Sequence, residues 1–213
     1  VIHGSVDETH FSLPTTNGLS TADLKIPTDK LIIGLIGRIS RVKGQQVLLR
    51  AAAKILESRQ DLCFLISGKP VEISIDQLRD QAIELGIEKH CLFLPVVPCV
   101  ADLITACDIC VTASVGSETI SRVVLEYLYL GKPIIGTSVN AIGEIVIPGV
   151  NGELVTPNNI PELVTAIMKL ANNSDLRRQY AENSYNLYLN HYNEQVFYQA
   201  YTKVLMTCIS NSD

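Results

Sequence analysis

From residue 31 onward, short apolar runs alternate with stretches in which apolar residues recur every three or four positions. Residues 31–37 (LIIGLIG), 62–67 (LCFLIS), 91–95, 109–113 and 133–137 are continuous apolar runs of strand length. Runs of that kind predict strands buried on both faces. Between them lie helical patterns. In 45–58 the apolar residues fall at 47, 48, 51, 52, 55 and 56, which is the spacing of one helix face. Further helices are predicted over 75–85 (stopped by Gly86), 100–107, 120–130 (stopped by Gly131) and 141–147. Residues 150–155 contain Asn151-Gly152, a turn signal between apolar residues. Helical stretches over 162–171, 175–191 and 194–209 complete the chain. Strands alternating with helices predict an α/β fold, a doubly wound, Rossmann-like parallel sheet covered on both faces. Residues 1–30 are polar, with Pro14, Gly18 and Pro27, and read as a linker or arm. The expected organisation is therefore an arm over 1–30, the sheet domain over 31–175 and closing helices over 176–213.

Composition narrows the class. With 47% hydrophobic and 18% charged residues among 213, the chain is neither disordered nor coiled-coil in type. No apolar run approaches the ~18 residues of a spanning helix, so no transmembrane segment is expected. A net charge of −5 argues against nucleic acid as a partner. The chain opens Val-Ile-His-Gly-Ser without Met or a signal-type stretch, the start expected of a piece of something longer. Cys63, Cys91, Cys99, Cys107, Cys110 and Cys208 mostly sit in apolar runs. Buried free thiols and a cytoplasmic setting are the expectation. Cys107 and Cys110 form one C-x-x-C with no second pair, and the four histidines are scattered; no metal site is expected. Six tyrosines fall in the last two helices, with Tyr185, Tyr188 and Tyr192 placed on one face. Core packing, or contact with a missing domain, is the expected use.

In a sheet of this kind ligands bind outside the carboxyl ends of the strands. Neither familiar phosphate loop is present: Gly68-Lys69 and Gly131-Lys132 are each followed by Pro, and Gly34-Leu-Ile-Gly37 lacks the dinucleotide spacing. The loop after the first strand instead reads Gly37-Arg38-Ile-Ser-Arg-Val-Lys43-Gly44. Glycines allow close backbone approach, and an Arg fork with a Lys charge suits a diphosphate; an ordinary solvated turn explains the same residues. After the 109–113 run comes Ser114-Val-Gly-Ser-Glu118-Thr-Ile-Ser121-Arg122, opening a helix whose free N–H groups form an anion site. Glu126 lies eight residues beyond Glu118, or ~12 Å of helix. Glu118 is also explained as an acid favoured by the helix dipole. Glu126, among Val123, Val124, Leu125 and Leu128, calls for a partner or a ligand.

Glu118-x7-Glu126 behind Gly37-Arg38-x4-Lys43-Gly44 resembles the donor-binding, C-terminal half of family 4 retaining glycosyltransferases of GT-B fold. His3 through Asp7 to Phe11 is similar to that family's interdomain segment. Gly131 through Thr137, Gly143-Glu144, and the Asn151-Gly152 hairpin also match in order and spacing. The resemblance implies that Arg38 and Lys43, with Gly37, neutralise the diphosphate of a nucleotide sugar, without metal or cofactor. Glu118 would face the transferred sugar and Glu126 the ribose. Ser121 and Arg122 would lie beside the distal phosphate, and Val96 and Val97 near the base. Thr119-Ile120-Ser121 replaces the family's usual Gly-Phe-Gly, which restricts backbone approach to the phosphates. The implied activity is hexosyl transfer to a glycan or lipid-linked acceptor, in polysaccharide or lipopolysaccharide assembly. The implied location is cytoplasmic, peripheral to the membrane through a missing N-terminal acceptor domain, without which this chain binds donor but does not catalyse. Two alternatives stand beside it: a non-catalytic nucleotide-binding partner module and a sugar-nucleotide epimerase of the same fold.

Overall fold

The computed structural model describes residues 4–8, 11, 23–116 and 121–210, the last three by backbone alone. Six strands form one sheet: β1 (Leu31–Ile36), β2 (Leu62–Ser67), β3 (Cys91–Leu94), β4 (Ile109–Thr112), β5 (Ile134–Thr137) and β6 (Gly152–Val155). Helices α1 (Gln45–Leu56), α2 (Ile75–Glu84), α3 (Val100–Ala106), α4 (Arg122–Tyr129), α5 (Asn140–Ile145) and α6 (Ile160–Ala171) connect or follow them. The chain ends in α7 (Ser174–Leu187) and α8 (Glu194–Ser210).

All pairings are parallel, in the order β3-β2-β1-β4-β5-β6. Successive residues of each strand enter opposite cores, as the pleat requires. Ile33, Leu35, Phe64, Ile66, Ile109 and Val111 face α1, α2 and α6. Ile32, Ile36, Cys63, Leu65 and Cys110 face α3, α4 and α5. This two-sided burial is why the strands appear in the sequence as unbroken apolar runs. Helix α7 carries Tyr180 into the first core and Tyr188, just past its end, into the second.

The chain reverses its direction of sheet growth between β1 and β4. There the ladder is short, pairing only Ile33 with Ile109 and Gly34 with Cys110. Side chains complete it at both ends. At the start, the Ile32 N–H donates to the Asp108 carboxylate (2.7 Å). At the finish, the buried Tyr127 hydroxyl of α4 accepts from the Ile36 N–H (3.2 Å) and reaches back toward its carbonyl (3.5 Å). Past this point β1 and β4 no longer pair, and this switch in strand order is where a doubly wound sheet binds its ligands.

Three expectations need correction. Residues 152–155 do not form one arm of a hairpin: the turn at 147–152 feeds β6 in parallel onto β5, with Ile134 opposite Gly152. The predicted 175–191 helix does not run unbroken, because Tyr188–Tyr192 widens into a π turn before α8. Tyr185 and Tyr188 do not share a face: Tyr188 is wholly buried, whereas Tyr185 is exposed.

Candidate functional site

The loop from β1 to α1 is held from below, which leaves its cations above. The Gly37 N–H donates to the Ser67 carbonyl (2.9 Å) and the Ile39 N–H to the Lys69 carbonyl (2.8 Å). Ile39 itself is buried in the core. The Gln45 side-chain amide donates to the Arg38 carbonyl (2.8 Å). With the backbone on either side of it fixed, the Arg38 side chain projects into solvent. Arg41–Lys43 then turn as a short 3₁₀ segment into Gly44, and Lys43 is half-buried.

Gly44 sits in the left-handed region (φ 72°) hard against the loop after β4. A Cβ on it would stand 1.9 Å from the Ala113 carbonyl oxygen. Beside it the Val115 N–H donates to the Val42 carbonyl (2.8 Å). The Thr137 hydroxyl donates to the Ser114 carbonyl (2.7 Å). The loops after β1, β4 and β5 therefore form one clasped unit at the mouth of the crevice.

Helix α4 begins at Ser121, whose hydroxyl makes no cap bond. That hydroxyl is 2% exposed, and its oxygen has no partner among the described residues. A helix start leaves backbone N–H groups without intrahelical partners, so buried Ser121 and the exposed Arg122 stand beside donors suited to an anion. Four residues on, Glu126 is half-buried, and that burial pushes its carboxyl above the ordinary value of 4.5, with nearby Arg122 pulling the other way. Glu126 and Arg122 line a cavity of about 190 Å³, completed by Ser5, Val6, Asp7 and Phe11 of the N-terminal arm.

The structure thus places Gly37, Arg38 and Lys43 on the loop after β1, and Ser121, Arg122 and Glu126 at the cap and first turns of α4, which follows the neighbouring strand β4. Tyr127 follows Glu126 and is bonded to Ile36, which precedes Gly37. That contact ties α4 to the end of β1, from which the cation-bearing loop leaves. Val97 is half-buried on the loop after β3, which the Ser67 hydroxyl anchors by donating to the Pro95 carbonyl (2.9 Å); Val97 does not line the Glu126 cavity. Glu118 lies outside the described residues. Sequence reasoning missed Gln45 and Tyr127 as supports, and it read Ser5, Asp7 and Phe11 as part of an interdomain segment and not as part of a cavity wall. The available signal for the arm was Val6 and Phe11, two apolar residues in a polar stretch. No cluster of three or more His, Cys, Asp or Glu that could hold a metal exists among the described residues. No helix among them is long and apolar enough to cross a membrane.

Residues 19–187 match the family model described as glycosyl transferases group 1. This chain belongs to that family. Among curated relatives, the D-inositol 3-phosphate glycosyltransferase of Mycolicibacterium smegmatis is 31% identical over 175 residues, covering 80% of this chain and 39% of that protein. The chain spans about two fifths of the curated relatives it matches. Among solved structures, the C-terminal domain of the group 1 glycosyl transferase LpcC from Francisella tularensis is 28% identical with a TM-score of 0.76. The match covers 89% of this chain and 99% of that domain. Anabaena HepE, solved with UDP, superposes with a TM-score of 0.86 at 23% identity, over 97% of this chain and 57% of its own. The family chain is thus a Rossmann-like α/β domain whose structural neighbours are GT-B glycosyltransferases.

Proposed function

We propose that this chain is the C-terminal, donor-binding domain of a family 4 retaining glycosyltransferase, and that its ligand is a nucleotide-diphosphate sugar. The observation that supports this reading is the Tyr127–Ile36 contact, which joins the helix that carries Glu126 to the end of the strand from which the Gly37–Lys43 loop leaves. A carboxylate and a cation loop so joined can hold a pentose diol and a diphosphate together.

Arg38 and Lys43 neutralise the diphosphate, and their positive charge stabilises it as it leaves. Gly37 admits the phosphates to the backbone, while Ser121 and Arg122 donate to the distal one. The Ser121 hydroxyl, buried without a partner among the described residues, supports that role, because such an atom calls for an explanation. Glu126 accepts from the ribose hydroxyls, and Glu118, eight residues earlier in the sequence, takes the hydroxyls of the transferred sugar. The backbone near Val97 meets the base. No metal or cofactor enters this scheme. The acceptor, a glycan or lipid-linked glycan, binds to the part of the relatives that this chain does not span, so this chain alone binds donor without transferring it. The domain divides as an arm over 1–30, the nucleotide-sugar domain over 31–175 and the closing helices over 176–213.

Titration calorimetry against UDP, GDP, ADP and their sugar conjugates tests the reading. One nucleotide class should bind, with its sugar conjugate at least as tight, and Glu126→Gln should weaken it by about 1–3 kcal/mol, the range of a charged hydrogen bond. A folded chain that binds none of them, or binds bare nucleotide but no conjugate, overturns it.

A further inference from the structure

We infer that the free edge of β3 pairs with the same edge of a second copy of this chain, Phe93 against Phe93, continuing the sheet across a two-fold axis. The starting point is the direction in which the β3 backbone groups point. The Leu31 N–H donates to the Asp61 carbonyl (3.0 Å) and the Gly37 N–H to the Ser67 carbonyl (2.9 Å). The odd-numbered residues of β2 therefore face β1, and Leu62, Phe64 and Ile66 face β3. With Phe64 opposite Cys91 and Ile66 opposite Phe93, a parallel ladder gives those bonds to His90, Leu92 and Leu94. Cys91 and Phe93 then direct their backbone groups away from the sheet.

The pairing capacity of this edge is confined to one residue. The Cys91 N–H donates to the Glu88 carbonyl. Pro95 has no N–H, and its carbonyl accepts from the Ser67 hydroxyl (2.9 Å). β3 is the last strand of the sheet, and the Phe93 N–H and C=O have no partner among the described residues. The strand also lacks the charged guards usual at an edge: Cys91, Leu92, Phe93 and Leu94 are all half-exposed and uncharged. Arg79 lies over the Phe93 ring (6.0 Å), yet it is ion-paired with Asp76 (2.7 Å). Ile83, one turn further along the same face of α2, is 53% exposed. At the opposite edge of the sheet Leu154 points outward in the same way, but in a groove rimmed by Glu153, Glu162 and Lys169. Charges there oppose pairing.

These features select the occupant. An added peptide strand draws on a row of free backbone groups, and here Phe93 alone offers both a donor and an acceptor. A second copy related by a two-fold axis through Phe93 uses both at once. Each Phe93 N–H donates to the Phe93 carbonyl of the other copy, the bonded pair of an antiparallel ladder. The same operation sets the two Phe93 rings together on one face of the sheet. On the other face it sets Leu92 opposite Leu94 of the second copy. Two hydrogen bonds and a few apolar pairs make a small interface, and hence a weak dimer that forms between micromolar and millimolar concentration.

Amide-resolved hydrogen exchange on the 213-residue chain reads the pairing directly. The Phe93 amide should slow by at least about threefold between micromolar and millimolar protein, as for a pair that is about two-thirds formed. Leu92 and Leu94, already bonded to β2, should not change. A Phe93 amide indifferent to concentration overturns the inference, and so does slowing at Leu154 in its place. Sedimentation equilibrium over the same range should show the wild-type mass rising towards a dimer and Phe93→Asp remaining a monomer. A monomeric wild type, or a variant that dimerises equally, overturns the inference. Phe93→Cys supplies a trap, because the Cα atoms of such a pair stand about 5.5 Å apart, within disulfide reach. Oxidised glutathione should link two copies of that variant through residue 93, located by peptide mapping. Val204→Cys, at an exposed position on α8, should not link; equal linkage of the two variants overturns the inference.

Discussion

Replacing Tyr127 with Phe removes one oxygen from a fully buried side chain. The ring and its packing remain, so the cavity contribution is slight. What changes is the end of the β1–β4 ladder, where the Ile36 N–H loses the Tyr127 hydroxyl, its partner among the described residues. β4 cannot replace it, because its pairing with β1 has already stopped at Gly34 and Cys110. Stranding a buried amide costs about 1–3 kcal/mol. In a chain of this size each kcal/mol lowers Tm by about 2–4 °C. Tyr127→Phe should therefore melt about 4–8 °C lower for a central cost of ~2 kcal/mol. Urea unfolding followed by circular dichroism should show a lower midpoint with an unchanged slope, since the buried surface is the same. Tyr185→Phe, on an exposed side chain, serves as the control and should stay within about 0.5 kcal/mol. A Tyr127→Phe midpoint within that margin would refute the idea that Tyr127 closes the ladder, and with it the physical link between α4 and the Gly37 loop.

Gly44→Ala combines a left-handed φ with a Cβ placed 1.9 Å from the Ala113 carbonyl. It should destabilise by at least about 3 kcal/mol, from strain and overpacking together, and a smaller loss in chemical unfolding would mean the two loops are not clasped. Glu126→Gln should raise Tm at neutral pH. The folded carboxyl lies above its ordinary 4.5 because burial disfavours its charge, so its contribution to stability is fully present below that value and lost as pH rises through the raised one. Scanning calorimetry should find the variant's advantage at pH 7 gone by about pH 4; no advantage at pH 7 contradicts the sign. Burial pushes the Cys63 thiol up to about 11 and that of Cys91 to about 12. Mass spectrometry after iodoacetamide at pH 8 should find both unmodified in the native chain and modified in urea, and native labelling of either would sink the assignment.

The elements were legible where a local pattern carries a tertiary fact. A strand buried on both faces must be a short apolar run, so 31–37 anticipated β1 (Leu31–Ile36) within one residue. Glu126 stood out as an acid among apolar neighbours, and the structure places it half-buried on a cavity wall. Other features leave no local trace. The sequence order of strands does not state that β4 lies beside β1, and that adjacency creates the crevice. Asn151-Gly152 carries a hairpin signal, yet the turn it belongs to delivers a parallel strand. The Asn151 side chain has other work there, accepting from the Ile147 N–H (2.7 Å) and donating to the Ile145 carbonyl (3.3 Å). Tyr127 reads as one more apolar helix position, because nothing in the heptad around it reveals a strand end within reach of its hydroxyl. The arm was opaque for a related reason: its partners, Tyr129 and Tyr188, lie more than a hundred residues away.

Several of the chain's departures from its own folding rules gather at the carboxyl end of the sheet. The strands, helices and both cores follow pattern and propensity, and the Ser74–Gln77 capping box that starts α2 is satisfied in both directions. At the carboxyl end of the sheet the rules lapse together. The hydroxyl at the start of α4 is buried without a partner among the described residues, the half-buried Glu126 carboxyl is held above its ordinary value, and Arg38 extends from a loop whose backbone is pinned on both sides of it. The buried hydroxyl and the half-buried carboxyl each cost stability, and neither is needed to close the sheet. Departures of this sort are tolerated where a ligand completes the missing interactions. An anion would satisfy the hydroxyl and the cations, and a diol would satisfy the carboxylate. One molecule carrying both groups a few ångströms apart would therefore relieve all three, which is the physical reason to look first for a nucleoside diphosphate.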